Sequence, residues 1–267
     1  MKLQYLRNKI INGCFEYWQR GASFISPANT SYQADRWAFG KNGSWNATVS
    51  RSTDVPIGAF GVYSNLFTVT TAQPVLAGTD EAGIQQRIEG NILRTFKGRK
   101  VVMTFWAKSS VAGPYHVSFV NGAANRSLVK PYTISQAGIW EKQIIRFTHD
   151  ESGAWDYSNG IGLFVWFSLA EGPTRTGPVD IWQNGLYFAG EGQTNLVATV
   201  GNTFQLTDVC LVEDNEDQTR VPYFELATNN LFEERDLVER YHSRHQFQYR
   251  GTAFGGVDSW LIYLLDI

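Results

Sequence analysis

Cysteine, methionine, histidine and an excess of either charge are what this 267-residue sequence has least of: two Cys, two Met, four His, and 23 Lys plus Arg against 25 Asp plus Glu. Each shortage excludes something. Two thiols, Cys14 and Cys210, cannot build a disulfide-dense scaffold and fall short of any zinc-ligand spacing. A formal charge of −2 gives no general electrostatic case for nucleic acid or an anionic membrane. No apolar run approaches the roughly 20 residues that cross a bilayer. Residues 1–11 carry Lys2, Arg7 and Lys9 without an apolar stretch of signal-peptide length, so the chain is expected to be made and kept in a cytosol until assembly or lysis.

Catalytic patterns are equally scarce. There is no Gly-x-Ser-x-Gly elbow and no P-loop, and the glycines at 58–61 and 251–256 lack a following helix N-terminus to cradle phosphate. His116 stands alone in a strand and His149 beside Asp150 at a strand end. His242 and His245 are spaced to share a metal on a helix, yet no third ligand lies near them in sequence. Acidic residues are scattered, and sequence gives no reason to select a pair. No enzymatic activity is expected, the alternative being a glycan hydrolase whose two carboxylates meet only in the fold.

What is present is aromatic. Fourteen per cent of residues are Phe, Trp or Tyr, with nine Trp, a usage that suits both sandwich cores and sugar-stacking surfaces. A strand is expected to open after the turn pair Asn12-Gly13, where Phe15, Tyr17 and Trp18 follow. Further β-rich segments recur at 36–39, 45–52, 61–71, 84–89, 101–107, 115–120, 128–134, 140–147, 161–169, 181–188, 196–200 and 203–212. Leu66, Thr68 and Thr70 alternate with Phe67, Val69 and Thr71, the pattern of an antiparallel strand with unlike faces. No alternating helix pattern precedes residue 228, which excludes a βαβ fold. The expected class is an all-β antiparallel sandwich, with long loops at 22–33, 71–83, 170–179 and 189–195, where binding usually resides on such scaffolds.

After Glu213 the composition changes. Residues 214–218 form an acidic linker, and Asn230 with Glu233 makes a capping box for a helix expected over 231–246. Leu231, Glu234, Leu237, Val238 and Tyr241 trace its mostly apolar stripe. The organisation read from sequence is an arm at 1–11, a sandwich at 12–213, and a linker, helix and assembly segment at 214–267.

The run Asn12-Gly13-Cys14-Phe15-Glu16-Tyr17-Trp18-Gln19-Arg20-Gly21, followed by Ala34-Asp35-Arg36-Trp37, resembles a segment recurrent in bacteriophage virion proteins, especially tail fibres and other receptor-contacting subunits. Residues 12–16 and 204–213 also look like the first and last strands of the jelly-roll, galactose-binding-like carbohydrate-binding modules. Residues 85–89, 102–108 and 140–148 resemble strands between them. The resemblance implies a virion structural protein, a tail-fibre, spike or decoration subunit made in the host cytoplasm. Its implied partners are other virion proteins, copies of itself (a trimer being usual for fibres) and host-surface polysaccharide. A free carbohydrate-binding module is the other reading.

In those modules a carboxylate at the end of the first strand and another in the last help to hold calcium. The resemblance therefore implies Glu16 and Asp208 as a structural calcium pair, while a hydrogen-bonded carboxylate pair near Arg20 or Arg36 accounts for the same residues. An antiparallel register setting Glu16 opposite Asp208 also sets Cys14 opposite Cys210. For sugar, the candidate platforms are Trp155, Tyr157, Trp166, Trp182 and Tyr187, each weighed against simple core packing. Trp155 and Tyr157, in the polar loop 152–160, are the best placed for exposure. Finally, residues 260–265 (Trp-Leu-Ile-Tyr-Leu-Leu) follow a Gly255-Gly256 hinge and would be an aggregation hazard if left bare. They are expected to pack on neighbouring subunits, or else to fold back on the sandwich as an edge strand.

Overall fold

The computed structural model describes residues 7–214 and 223–242, together with the backbone of two strands in 244–266. The acidic linker after Asp214 and the glycine hinge at 255–256 lie outside the described residues. The strands in chain order are β1 (Ser23–Ile25), β2 (Trp37–Asn42), β3 (Asn46–Ser52), β4 (Ser64–Thr71), β5 (Glu81–Glu89), β6 (Lys100–Ser109), β7 (Gly113–Asn121), β8 (Arg126–Ile134), β9 (Glu141–Thr148), β10 (Ile161–Glu171), β11 (Trp182–Asn184) and β12 (Thr203–Glu213). They form two six-stranded antiparallel sheets, ordered β1-β3-β4-β12-β6-β9 and β11-β8-β7-β10-β5-β2, and make a jelly-roll sandwich.

The core follows from the two-residue period of a strand. In β4, Phe67 and Val69 are buried while Leu66 and Thr68 are partly exposed. In β10, Leu163, Val165, Phe167 and Leu169 turn inward. Large flat side chains fill the space between the sheets: Trp37, Trp45, Phe39, Phe67, Phe105, Phe119, Phe167 and Phe204 are all essentially inaccessible. Edge-on pairs such as Phe105 with Phe167, at 5.0 Å and 83°, are the arrangement that ring quadrupoles favour.

Three expectations are corrected by the backbone. Residues 12–18 are a turn at 12–14 and an irregular segment at 15–18 rather than a strand, because Asn12 (φ 59°) and Phe15 (φ 55°) both adopt the left-handed conformation, which interrupts any pleat. Residues 196–200 begin as a 3-10 turn, Leu196–Ala198, that buries Leu196 and Val197. The capping box forms as expected, with Asn230 Oδ1 accepting from the Glu233 amide at 3.0 Å, but the helix Leu231–Glu239 stops well before residue 246. The chain then runs as Arg244–Thr252, paired antiparallel with Asp258–Asp266 in a two-stranded sheet of its own. The terminal apolar run is thus paired with 244–252 and is not an edge strand of the sandwich.

The opening motif ties this helix to the sandwich. Asn12 is wholly buried. Its Nδ2 donates to the carbonyls of Tyr17 (2.9 Å) and Asp35 (2.8 Å), and its Oδ1 accepts from the Tyr17 amide (3.0 Å). Its backbone N–H donates to Glu234 Oε1 at 2.7 Å, and its carbonyl accepts from Trp37 Nε1 at 2.9 Å. Tyr17 Oη donates to the Leu231 carbonyl. Asp35 closes the loop, accepting from the Gln19 amide and pairing with Arg20 at 2.8 Å. Residues 8–11, read as part of an arm, are buried against the sandwich, with Asn8 bridging the Val209 and Glu225 carbonyls and the Leu211 amide.

Candidate functional site

One end of the sandwich carries an open groove of about 780 Å³, lined by Arg94, Gly122, Ala123, Ala154, Trp155, Asp156, Tyr157, Ser158 and Ile161. Its wall is the loop before β10, and that loop is pinned. The Gly90 amide donates to the Gly160 carbonyl (2.9 Å) and the Asn91 amide to the Ser158 carbonyl (2.7 Å). Arg94 adds two donations to the Tyr157 carbonyl, from Nη2 at 2.7 Å and Nε at 3.1 Å. Position 90 has to be glycine: a Cβ there would lie 2.4 Å from the Asp156 carbonyl oxygen, inside any tolerable contact. A pre-ordered loop pays little entropy on binding.

Three of the five candidate platforms meet here. Trp155 packs edge-to-face on Trp182 (5.4 Å, 87°), and His149 lies between Trp155 (4.5 Å) and Tyr157 (6.2 Å). His149 is a core residue, 2% exposed, and burial holds its imidazole below the usual histidine range, so it is neutral at pH 7. The indole N–H groups of Trp155 and Trp182 are spent on the Ser152 (2.7 Å) and Thr148 (2.8 Å) carbonyls. The Tyr157 hydroxyl is buried without a partner. What these side chains offer a ligand is therefore ring surface and not hydrogen bonds. Only Trp155 and Tyr157 line the groove; Trp182 supports Trp155 from behind.

The polar groups around the rings were not singled out from the sequence. Asp156 Oδ1 accepts from the amide and hydroxyl of Ser158, both at 2.6 Å, and these bonds hold its carboxyl below the usual range. Among the described residues it is the only carboxylate in the groove lining. Arg94 adds a cation. The Asp-x-Ser turn pattern of the loop is the signal that could have found Asp156 and Ser158.

Trp166 is not a platform. It is 3% exposed, stacks on Phe188 at 4.3 Å and 12°, and donates its Nε1–H to Glu171 Oε1 at 2.9 Å. Its ring lies so close over β2 and β5 that a Cβ on Gly40 or Gly83 would fall 2.0 or 2.3 Å from it. Tyr187 is partly exposed, with its ring against Gly177 and Gly185, away from the groove.

The first and last segments do not form the expected register. Val209 donates to the Gly13 carbonyl, and Lys9 to the Leu211 carbonyl, both at 2.9 Å, where that register sets Val209 opposite Phe15 and Leu211 opposite Gly13. Asp208 lies at a break in the β12–β6 register, with φ 50°. The break turns its carboxylate onto the amides of Phe60 (2.7 Å) and Gly61 (2.9 Å). Both oxygens face N–H donors, and among the described residues no three His, Cys, Asp or Glu side chains gather as a metal-holding set. Calcium takes six or more oxygens, and each Asp208 oxygen already accepts one backbone N–H. Cys14 and Cys210 are free and buried.

No protein-family model and no curated relative matches the sequence. Solved structures do resemble the fold. A family 4 carbohydrate-binding module matches at 16% identity over 76% of this chain and 98% of its own (TM-score 0.41). A candidate sugar-binding protein of Bacteroides thetaiotaomicron matches at 14% identity over 78% and 100% (TM-score 0.48). A family 11 carbohydrate-binding module from a cellulosomal cellulase of Clostridium thermocellum matches at 12% over 74% and 99% (TM-score 0.40). Likeness at this level concerns the course of the chain, and the ligands of those proteins are their own.

Proposed function

We propose that this chain is a non-catalytic glycan-binding subunit, and that the groove beside β10 takes a polysaccharide on Trp155 and Tyr157. The observation that carries the reading is the combination of ring surface, a pre-ordered wall and single polar groups of each sign in one open groove. Sugar rings present apolar C–H faces to aromatic planes and hydroxyls to neighbours such as Asp156, Ser158 and Arg94. Hydrolysis of a glycoside wants two carboxylates flanking the bond, and among the described residues the groove supplies one, Asp156.

The setting we propose is a bacteriophage virion, a tail-fibre, spike or decoration subunit assembled in the host cytoplasm. Its support is the resemblance of residues 12–21 and 34–37 to virion proteins. In this setting residues 214–267 serve assembly with copies of the chain or with other virion proteins. A lone two-stranded sheet is marginal in water, which favours a partner for 244–266. The test is a glycan array probed with the wild type and Trp155→Ala, alongside a reducing-end assay. Array signals that depend on Trp155, with no reducing ends released, are expected. Signals indifferent to Trp155, or steady release of reducing ends, would overturn the reading.

A further inference from the structure

Behind the same loop, on the far side of Ile161, lies a second and smaller cavity of about 250 Å³. Its wall includes Tyr32, Arg36, Arg87, Glu89, Gly160 and Tyr241. Arg36 belongs to the Ala34–Trp37 motif and is held there against its backbone preference. Its φ is 74°, a conformation that costs a side chain of this size about 1 kcal/mol or more. Only 8% of the residue is exposed. Its Nη2 donates to the Arg87 carbonyl at 2.7 Å and its guanidinium lies 3.5 Å over the Tyr241 ring, yet its Nε is buried with no acceptor. Arg87 shares the defect: its Nε is likewise buried and unpartnered, with the guanidinium 5.3 Å from the Phe164 ring.

The charges around the cavity do not balance. Among the described residues Glu89 is the one carboxylate in its wall, and it is already paired with Arg240 at 3.2 Å. The nearby Asp35 is committed to Arg20 and to the Gln19 amide. Three guanidinium groups therefore share one acid. A desolvated cation without a counter-charge is costly unless something pairs it. Guanidinium groups are the usual recognition elements for a carboxylate or phosphate.

We propose that this cavity binds the carboxylate of an acidic sugar, so that the polymer taken by the adjoining groove is a uronate-containing glycan. Cavity and groove share Ile161 and the loop leading into it, so a sugar ring near Trp155 belongs to the same polymer track as an acid group reaching Arg87 and Arg36. The identity of the polymer rests on the groove reading; the anion site does not.

The test uses the whole chain and three probes at constant ionic strength: glucuronate, glucose and inorganic phosphate. The readouts are the Nε–H resonances of Arg36 and Arg87 in a ¹H–¹⁵N spectrum and the melting temperature. Glucuronate is expected to shift both resonances saturably and to raise the melting temperature, with glucose doing neither. Arg87→Gln is expected to weaken glucuronate at least about tenfold, the loss of one charge-assisted hydrogen bond. It should leave a neutral oligosaccharide at the Trp155 groove unaffected. Equal responses to glucose and glucuronate, no response to either, or a response to phosphate alone would overturn the proposal. Failure of Trp155→Ala to alter array binding while glucuronate still shifts Arg87 would sink the groove reading and leave the anion site standing.

Discussion

Replacing Asn12 tests how the opening motif works. Its side chain is fully buried and makes three hydrogen bonds to backbone, with Tyr17 N–H, Tyr17 C=O and Asp35 C=O. Asn12→Ala orphans all three groups, at about 1 kcal/mol each for a net buried bond. It also places alanine at φ 59°, which costs about 1–2 kcal/mol more. The expected loss is therefore about 4 kcal/mol, a large share of the 5–15 kcal/mol that folded domains of ordinary stability possess. Asn12→Gly removes the same bonds but not the conformational fit, so it should be the milder change by about 1 kcal/mol. Urea unfolding followed by tryptophan fluorescence measures both. An Asn12→Ala loss below about 1 kcal/mol would show that the motif does not hold the turn by these contacts, and a glycine variant as weak as the alanine one would refute the conformational part of the cost.

Other consequences are as direct. Burial pushes both Cys14 and Cys210 up to about 12, so neither thiol should react with a soluble disulfide reagent at pH 8 until urea unfolds the chain; fast labelling of the native protein would contradict their placement. Burial also holds the Glu171 carboxyl well above its usual range. Its folded pKa exceeds its unfolded one, so its contribution to stability is present at low pH and lost as pH rises through the folded value. Glu171→Gln should therefore gain on the wild type as pH is raised from 5 to 9, and a pH-independent difference would refute this. Because both Asp208 oxygens accept amide N–H bonds, adding calcium or chelating it should leave the melting temperature unchanged, whereas a saturable rise with calcium would restore the metal reading of Glu16 and Asp208.

Much of the fold was legible because it depends on periodicity. Phe67 and Val69 alternate with Leu66 and Thr68 in sequence and in burial alike, and the Asn230 capping box acts locally, so both could be read without tertiary knowledge. What was missed depends on φ. Asn12 was rightly read as tolerant of a left-handed turn, but nothing in its sequence says that Phe15 turns the same way, so a strand was expected where a buried knot forms. The helix was extended to 246, although His245, Phe247 and Tyr249 already alternate with Gln246 and Gln248, and the two-residue period wins there. At the groove, Trp155 and Trp166 look alike as letters. Their difference lies in Gly40 and Gly83, which open a seat for Trp166 on the sheet face, and in the loop that places Trp155 in the groove lining, its indole N–H on the Ser152 carbonyl. Arg36 and Arg87 are 51 residues apart in the chain, so no local pattern announces the charge imbalance between them.

The central claim, that Trp155 and Tyr157 form the floor on which a glycan lies, is tested most directly by one affinity ratio. An oligosaccharide selected on the array is titrated calorimetrically into the wild type and into Trp155→Ala, with near-ultraviolet circular dichroism showing that the variant keeps its packed core. Loss of a tryptophan anchor at the centre of a contact typically costs at least 2 kcal/mol, about thirtyfold in affinity, and a loss of that order is the predicted result. An unchanged affinity in a folded Trp155→Ala variant would contradict the account.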